Sequence, residues 1–292
     1  MKIAVVTDSA TYLDFEDVKK YNIHVMPITV IFGKQTFLDN VDITTAEFYK
    51  RMAADPIMPS TSQITLGQMQ DMYDQLADEG YDAVISIHLS SGITTFFNNL
   101  EQFVPSVTNI KVYPFDSMIA SAGEANLALL AARLVEAGKT PEEIIAALTK
   151  FRDTIDAYFV VDDLSHLVHT GRLSNASSLV GNLLRVKPIL TFNEDGQIVA
   201  IEREHTMRRA YNAIKKKVAN AYETTKVPLR FTVINADNAD NAERQQQWVT
   251  DLHASFPDMV IDESILGPVL GVHVGAGTMA VLWAYDWQQW PV

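Results

Sequence analysis

The stretch Ser86-Ile-His-Leu-Ser-Ser-Gly-Ile-Thr-Thr95 decides the fold, because a long apolar run ends there in a corner rich in hydroxyl groups. The apolar run at 83–89 predicts a buried strand, and the residues after the corner predict a helix. The first turn of a helix leaves backbone N–H groups unpaired, and Ser and Thr side chains add further donors. The corner therefore suits a carboxylate or a phosphate, unless its hydroxyl groups serve only as helix caps, which is their commonest use at a helix start.

Strands and helices alternate along the first half of the chain. The predicted strands lie at 2–7, 23–32, 82–89 and 110–115, and the predicted helices at 14–20, 44–53, 66–78, 95–103, 121–137 and 141–152. A second hydroxyl cluster, Ser60-Thr-Ser62, precedes the helical pattern at 66–78 and is interpreted as another helix start. Alternation of this kind predicts an α/β domain over 1–155, with a mostly parallel, Rossmann-like sheet flanked by helices.

The second half of the chain, 156–292, predicts a second α/β domain with a mixed or antiparallel sheet. Its clearest signal is a hairpin, with strands at 187–192 and 197–201 joined by Asn193-Glu-Asp-Gly196. The other predicted strands lie at 157–161, 230–235, 259–264 and 278–285, and the predicted helices at 176–185, 207–222 and 241–255.

Composition excludes several classes of function. The chain has no cysteine, which rules out disulfides, thiolate catalysis and cysteine-ligated zinc. A formal net charge of −13 argues against nucleic-acid binding and against more than transient contact with anionic membranes. The sequence has no apparent signal peptide and no apolar run of membrane-spanning length, so we expect a cytoplasmic protein.

One region of this acidic chain is basic. Between Arg172 and Lys217 there are nine Lys and Arg residues against four acidic residues. The run Lys215-Lys-Lys217 fits a solvated helix face. Arg172 and Arg203 lie outside that helix, and we therefore expect them to serve a partner.

The common catalytic motifs are absent from the sequence, including phosphate-binding loops, the Gly-x-Ser-x-Gly elbow and His-Glu-x-x-His. Asp8 follows the first strand, and we interpret it as a structural hydrogen-bond acceptor. His166 and His169 have helical spacing but no evident third ligand, so ordinary packing is favoured over a metal site. His273 lies in a glycine-rich stretch at 267–277, where it is either a core histidine or a group that stabilises a carboxylate.

Seven motifs together resemble the DegV family of bacterial fatty-acid-binding proteins, in order and over the whole chain. They are Met1-Lys-Ile-Ala-Val-Val-Thr-Asp-Ser9, Ser60-Thr-Ser-Gln63, Leu89-Ser-Ser-Gly-Ile-Thr94, Val161-Asp-Asp-Leu-Ser-His-Leu167, Thr170-Gly-Arg-Leu-Ser174, Lys187-Pro-Ile-Leu190 and Gly267-Pro-Val-Leu-Gly-Val-His-Val-Gly-Ala-Gly277.

The resemblance implies a non-enzymatic carrier with one long-chain fatty acid buried between its two domains and no further cofactor or metal. It also implies a partner, a dihydroxyacetone-kinase-like, ATP-dependent fatty acid kinase that makes acyl phosphate for phospholipid synthesis. The lipid-binding residues that it implies are Thr61, Ser62, Ser91, Gly92, Thr94 and His273. Arg172 and Arg203, with His273, are implied to lie at the mouth where the kinase docks.

The chain departs from the family pattern at the second motif, where Thr95 and Phe96 replace a glycine and a threonine and crowd the corner. Two other hypotheses stay open. One is a hydrolase or phosphotransferase that uses Asp8, Ser91 and His273, and the other is a regulator that senses lipid. From strand and helix phase, the expected cavity walls are Val30, Phe96, Leu164, Leu184, Ile189 and Leu270.

Overall fold

A computed structural model of the chain describes residues 1–174, 186–236 and 239–292. The helix predicted at 176–185, and with it Leu184, lies outside the described residues. Among the helices that the structure describes, none is both long enough and apolar enough to cross a membrane.

The described strands and helices follow the predicted order closely. The strands are β1 Ile3–Asp8, β2 Ile23–Met26, β3 Thr29–Phe32, β4 Gln35–Leu38, β5 Ser60–Ser62, β6 Ala83–His88, β7 Lys111–Asp116, β8 Asp156–Val160, β9 Lys187–Phe192, β10 Ile198–Glu204, β11 Leu229–Ala236, β12 Val260–Leu266 and β13 Met279–Tyr285. The helices are α1 Phe15–Lys20, α2 Thr45–Ala54, α3 Leu66–Asp78, α4 Phe96–Phe103, α5 Ala122–Glu136, α6 Pro141–Arg152, α7 Ser165–His169, α8 Met207–Thr224, α9 Ala239–Ser255 and α10 Pro268–Val274.

The first sheet is parallel, as the alternation of strands and helices predicts. Its strand order is β2-β1-β6-β7, and every neighbouring pair is parallel. All residues of β1 and β6 are buried, because helices cover both faces of the sheet. The carboxyl ends of β1 and β6 meet at one edge, so Asp8 and the Ser90-Ser91-Gly92 corner lie side by side.

The second sheet is mixed, which confirms the expectation for the second half of the chain. Its order is β10-β9-β8-β13-β11-β12; β11 and β12 are parallel, and the other pairs are antiparallel. The predicted hairpin is present as β9 and β10, with a register shift between Ala200 and Glu202. One face of this sheet packs against α8 and α9, and the other contributes to the large core that contains the parallel sheet.

A third, small sheet was not predicted. The run at 23–32 is two strands, because Pro27 has no N–H to continue a ladder, and β3 pairs with β4 and β5. The interpretation of Ser60-Thr-Ser62 as a helix start was wrong, because these residues form β5. Thr65 caps α3 instead, through a capping box with Gln68.

Candidate functional site

A cavity of about 590 Å³ lies between the carboxyl edge of the parallel sheet and the inner face of the mixed sheet. Its size falls within the range of about 300–1,000 Å³ that is usual for small-molecule sites. Most of its wall is apolar and comes from both halves of the chain, including Ile64, Phe96, Phe159, Phe192, Leu270 and Leu282.

Strand and helix phase predicted part of this wall. Phe96 and Leu270 line the cavity as expected, whereas Val30, Leu164 and Ile189 are buried in the packed core and do not line it. Ile189 shows the reason, since it faces the core beside α8 while its neighbour Leu190 faces the other core. Successive strand residues point to opposite faces, so a phase error of one residue selects the wrong face.

The residues predicted to bind lipid all line the cavity, and so does Arg172, which was predicted for the partner surface together with Arg203. Arg203 lies on the exposed surface of β10 and does not line the cavity. The predicted residues that line the cavity are Thr61, Ser62, Ser91, Gly92, Thr94, Arg172 and His273.

Thr61 and His273 form the central pair of this polar group. The hydroxyl oxygen of Thr61, in β5, lies 2.9 Å from Nε2 of His273, in α10. Burial, together with the nearby charges of Arg172 and His166, lowers the pKa of His273 to about 3. The imidazole is therefore neutral at pH 7. Its Nδ1 has no partner among the described residues.

Thr94 and Thr95 lie at the end of the loop that connects β6 to α4. The Thr94 hydroxyl accepts a hydrogen bond from the N–H of Phe96 at 3.3 Å, which is a capping contact. Thr95, the residue before the helix, makes no capping bond and donates instead to Oε1 of Gln63 at 3.3 Å. A hydroxyl that accepts one bond still has a proton to donate, so the capping role of Thr94 leaves it able to bind an anion.

The corner at Ser90-Ser91-Gly92 is in direct contact with the β9–β10 turn. The Ser90 hydroxyl donates to the carbonyl oxygen of Gly196 at 2.7 Å, and a Cβ on Gly92 would lie only 2.3 Å from the Gly196 carbonyl carbon. Gly92 therefore allows two backbones to touch, in addition to lining the cavity. The sequence marks Ser90 only as one of the hydroxyl donors of the corner, and it could not show this partner, which lies 106 residues away.

Arg172 brings a positive charge to the cavity. Its side chain is half-buried, its guanidinium donates to the carbonyl oxygen of Thr170, and burial lowers its pKa. Within the described ranges, no carboxylate forms an ion pair with it. An anion in the cavity would meet this charge together with the hydroxyl groups.

Asp8 acts as a structural acceptor, as predicted. Its carboxylate accepts from the N–H groups of Ala10 and Leu89 and lies 3.2 Å from Nδ1 of His88. It does not line the cavity, and His273 bonds to Thr61 rather than to Ser91. The three residues of the hydrolase hypothesis are therefore not arranged as a nucleophile and its base.

His166 lies near the site but has a packing role. Its Nδ1–H donates to the carbonyl oxygen of Val272 at 3.0 Å, which fastens α7 to α10. His169, the other member of the pair with helical spacing, is exposed at the end of α7. In the part of the chain that the structure describes, no group of three or more His, Asp or Glu side chains could hold a metal ion.

Known proteins share this architecture over nearly their whole length. Protein DegV of Bacillus subtilis is 37% identical over 286 residues, which cover 98% of this chain and 100% of that protein. The crystal structure of DegV, described as a fatty acid binding protein from Bacillus subtilis, matches with a TM-score of 0.89 at 38% identity and covers 98% of this chain and 99% of that one. A fatty acid binding DegV family protein from Streptococcus agalactiae matches with a TM-score of 0.88 at 30% identity, with coverage of 98% and 99%. The family model described as "Uncharacterised protein, DegV family" matches residues 2–286, and the chain therefore belongs to the DegV family.

Proposed function

We propose that this protein binds one long-chain fatty acid in the cavity and presents its carboxyl group to a separate ATP-dependent fatty acid kinase. The observation that carries the proposal is a largely apolar cavity wall that also presents a set of polar groups, among them Thr61, Thr94, Arg172 and His273, with Thr61 bonded to His273. Two similar structures, from Bacillus subtilis and Streptococcus agalactiae, are of proteins described as fatty acid binding.

The apolar wall supplies the affinity. Burial of one methylene group contributes about 0.8 kcal/mol, so an acyl chain of roughly sixteen carbons offers on the order of 12 kcal/mol before the costs of binding. The polar cluster then has only to replace the water that the carboxylate loses, which hydroxyl donors and one guanidinium can do.

The Thr61–His273 pair orients one of these donors. If the neutral imidazole carries its proton on Nε2, that N–H donates to the Thr61 oxygen, and the Thr61 hydroxyl is directed to the ligand. His273 is then a positioning residue, which acts on the carboxylate through Thr61. The unpartnered Nδ1 is in that case an acceptor rather than a buried N–H.

The partner supplies the chemistry in this proposal. In this proposal the Thr61–His273 pair positions the ligand, and formation of acyl phosphate is assigned to a dihydroxyacetone-kinase-like kinase. A carboxylate held by hydroxyl groups keeps an oxygen available to attack the terminal phosphate of ATP, with ADP as the leaving group. A hydrolase would turn over without a partner, and a lipid sensor would not support turnover when the kinase is added.

Organic extraction of freshly purified protein, followed by mass spectrometry, tests the binding step. We expect about one long-chain fatty acid per chain, because an apolar cavity of this size should hold lipid in a cell. The absence of extracted acid, together with no binding of added palmitic or oleic acid, would contradict the proposal.

Thr61→Val and Thr94→Val are expected to weaken fatty acid binding by roughly 1.5–3 kcal/mol each, because each removes a hydrogen bond to a charged oxygen. Ser91→Ala, a change of another hydroxyl on the cavity wall, is the control and should have a smaller effect. Titration with oleic acid measures all three. If both threonine variants bind like wild type, the carboxylate is held elsewhere.

Arg203→Ala is expected to leave lipid binding unchanged and to lower kinase-dependent acyl phosphate formation at least about ten-fold, since an interface charge is lost. Arg172→Ala is expected to lower turnover and also to weaken lipid binding, because Arg172 lines the cavity. Lys216→Ala, an exposed change on α8, controls for the loss of one positive charge. Unchanged turnover in both arginine variants would remove these residues from the partner surface.

A further inference from the structure

The opening of the cavity is marked by the wall residues that solvent reaches. Among the described residues of the wall, the exposed ones are Ser62, Gln63, Thr95 and Gly171, whereas the others are buried or half-buried. They lie on three segments, which are the end of β5 with the loop after it, the loop before α4, and the turn after α7. The opening therefore lies between these segments, and a ligand that enters the cavity has to pass them.

A hydrogen bond joins two of these segments across the opening. The Thr95 hydroxyl, before α4, donates to Oε1 of Gln63, after β5, at 3.3 Å. Each partner is a close neighbour in sequence of a hydroxyl that binds the carboxylate in the proposed function. Gln63 follows Thr61 by two residues, and Thr95 follows Thr94 directly. The bond therefore lies close to the place where the carboxyl end of a bound acid is expected.

The Thr95 hydroxyl is available for this bond because it does not cap the helix. A threonine immediately before a helix ordinarily accepts a hydrogen bond from an N–H of the first turn. At α4 this residue makes no such bond, and the neighbouring Thr94 accepts from the N–H of Phe96 instead. Thr95 stands where the family pattern has a glycine, which carries no hydroxyl. The bond to Gln63 is therefore a feature of this chain rather than of the family pattern.

The backbone on both sides of the bond is held in place. On the loop before α4, the N–H of Ser90 donates to the carbonyl oxygen of Ile119 at 2.8 Å, and the N–H of Ser91 donates to the Asp116 carboxylate at 3.1 Å. On the other side, β5 is paired with β3. Widening the opening at this place therefore requires the bond between the two side chains to break, rather than the two segments to move apart.

From these contacts, we propose that Thr95 and Gln63 form a strap across the opening of the cavity, which opens transiently to let a long-chain fatty acid pass. Entry and exit use the same opening, so the strap slows association and dissociation by the same factor. It leaves the affinity unchanged, because it is closed both before the acid enters and after it is bound. The inference rests on the proposed function, since it requires a fatty acid in the cavity.

Stopped-flow mixing with cis-parinaric acid, a fluorescent long-chain fatty acid, measures the association rate, and displacement of the bound probe by excess oleic acid measures its dissociation rate. We expect Thr95→Val to raise both rates by about two- to ten-fold, the factor that corresponds to one neutral hydrogen bond, with the dissociation constant unchanged. Valine keeps the shape of threonine, and no helix cap is lost. Gln63→Ala should have the same effect, and Thr95→Ser should restore the slow exchange.

The double variant Thr95→Val/Gln63→Ala is expected to exchange no faster than either single variant, because the two residues act through one bond. Asn98→Ala is the control and should exchange at the wild-type rates. It removes an exposed amide from the first turn of α4, outside the cavity wall.

A change in only one of the two rates would make Thr95 or Gln63 a contact of the bound or entering acid and would overturn the strap. Wild-type rates in both single variants would overturn it as well, and in either case fatty acid binding would stand. Failure of the wild-type protein to bind cis-parinaric or oleic acid would overturn the proposed function, and the strap with it.

Discussion

Gly92→Ala is expected to lower the free energy of unfolding by about 3 kcal/mol or more and to weaken fatty acid binding. The new methyl group would lie 2.3 Å from the Gly196 carbonyl carbon and 2.4 Å from its oxygen. Both are backbone atoms, which cannot rotate away as a side chain can. The β9–β10 turn would have to move, and the Ser90 hydrogen bond to Gly196 would be lost with it. Urea unfolding and a fatty acid titration on the same variant measure the two effects.

Gly67→Ala is the matched control. Gly67 is an exposed residue in the first turn of α3, and a Cβ there would meet nothing closer than 3.9 Å. The same substitution should therefore stabilise the protein slightly, by about 0.5–1 kcal/mol, because alanine favours the helix. If Gly92→Ala unfolds at the same urea concentration as wild type, the contact between the corner and the hairpin turn is absent in solution.

Between pH 8 and pH 5, the free energy of unfolding of the wild type is expected to rise by about 2–3 kcal/mol relative to that of Asp39→Asn. Asp39 is buried, and one of its oxygens accepts from the Ser9 hydroxyl at 2.7 Å, while the other has no partner among the residues that the structure describes. Burial, together with the charge of the neighbouring Asp8, raises its pKa to about 7. Between about pH 4 and pH 7 the folded protein therefore keeps a proton that the unfolded chain loses.

The wild-type protein should consequently gain stability relative to Asp39→Asn as the pH falls through this window. Above pH 7 both states of the wild type are ionised, and the cost of burying the charge is present in full. Asparagine keeps an acceptor for Ser9 without that charge. Asp78→Asn, an exposed change at the end of α3, controls for the loss of one negative charge. A difference between wild type and Asp39→Asn that does not vary with pH would contradict the prediction.

The sequence predicts the two larger sheets because their signals are local and strong. Apolar runs such as the one ending at His88 have the length and composition of buried strands, and the capping box at Thr140 marks the start of α6. The small third sheet was missed because β4 has only four residues and β5 only three, which is too short to show an alternation of apolar and polar residues. The helix α10 was missed because glycines at 267, 271 and 275 suggest a loop.

The sequence also predicted only part of the candidate site. Motif resemblance identified Thr61, Thr94 and His273, and the structure places all three on one cavity. The sequence could not show that Arg172 lines the cavity while Arg203 does not. It marks both only as basic residues outside the long helix and gives no sign of where either side chain lies. Nor could it show the contact of Ser90 with Gly196, which depends on how two distant turns pack.

The place of β13 has a consequence for biosynthesis. The strand Met279–Tyr285 lies in the middle of the mixed sheet, between β8 and β11, although a ribosome makes it after all the other described strands. A nascent chain that lacks it leaves β8 and β11 with unpaired edges and the cavity without the wall at Ala280 and Leu282. The N-terminal parallel sheet can form during translation, but the cavity can close only after β13 has left the ribosomal tunnel.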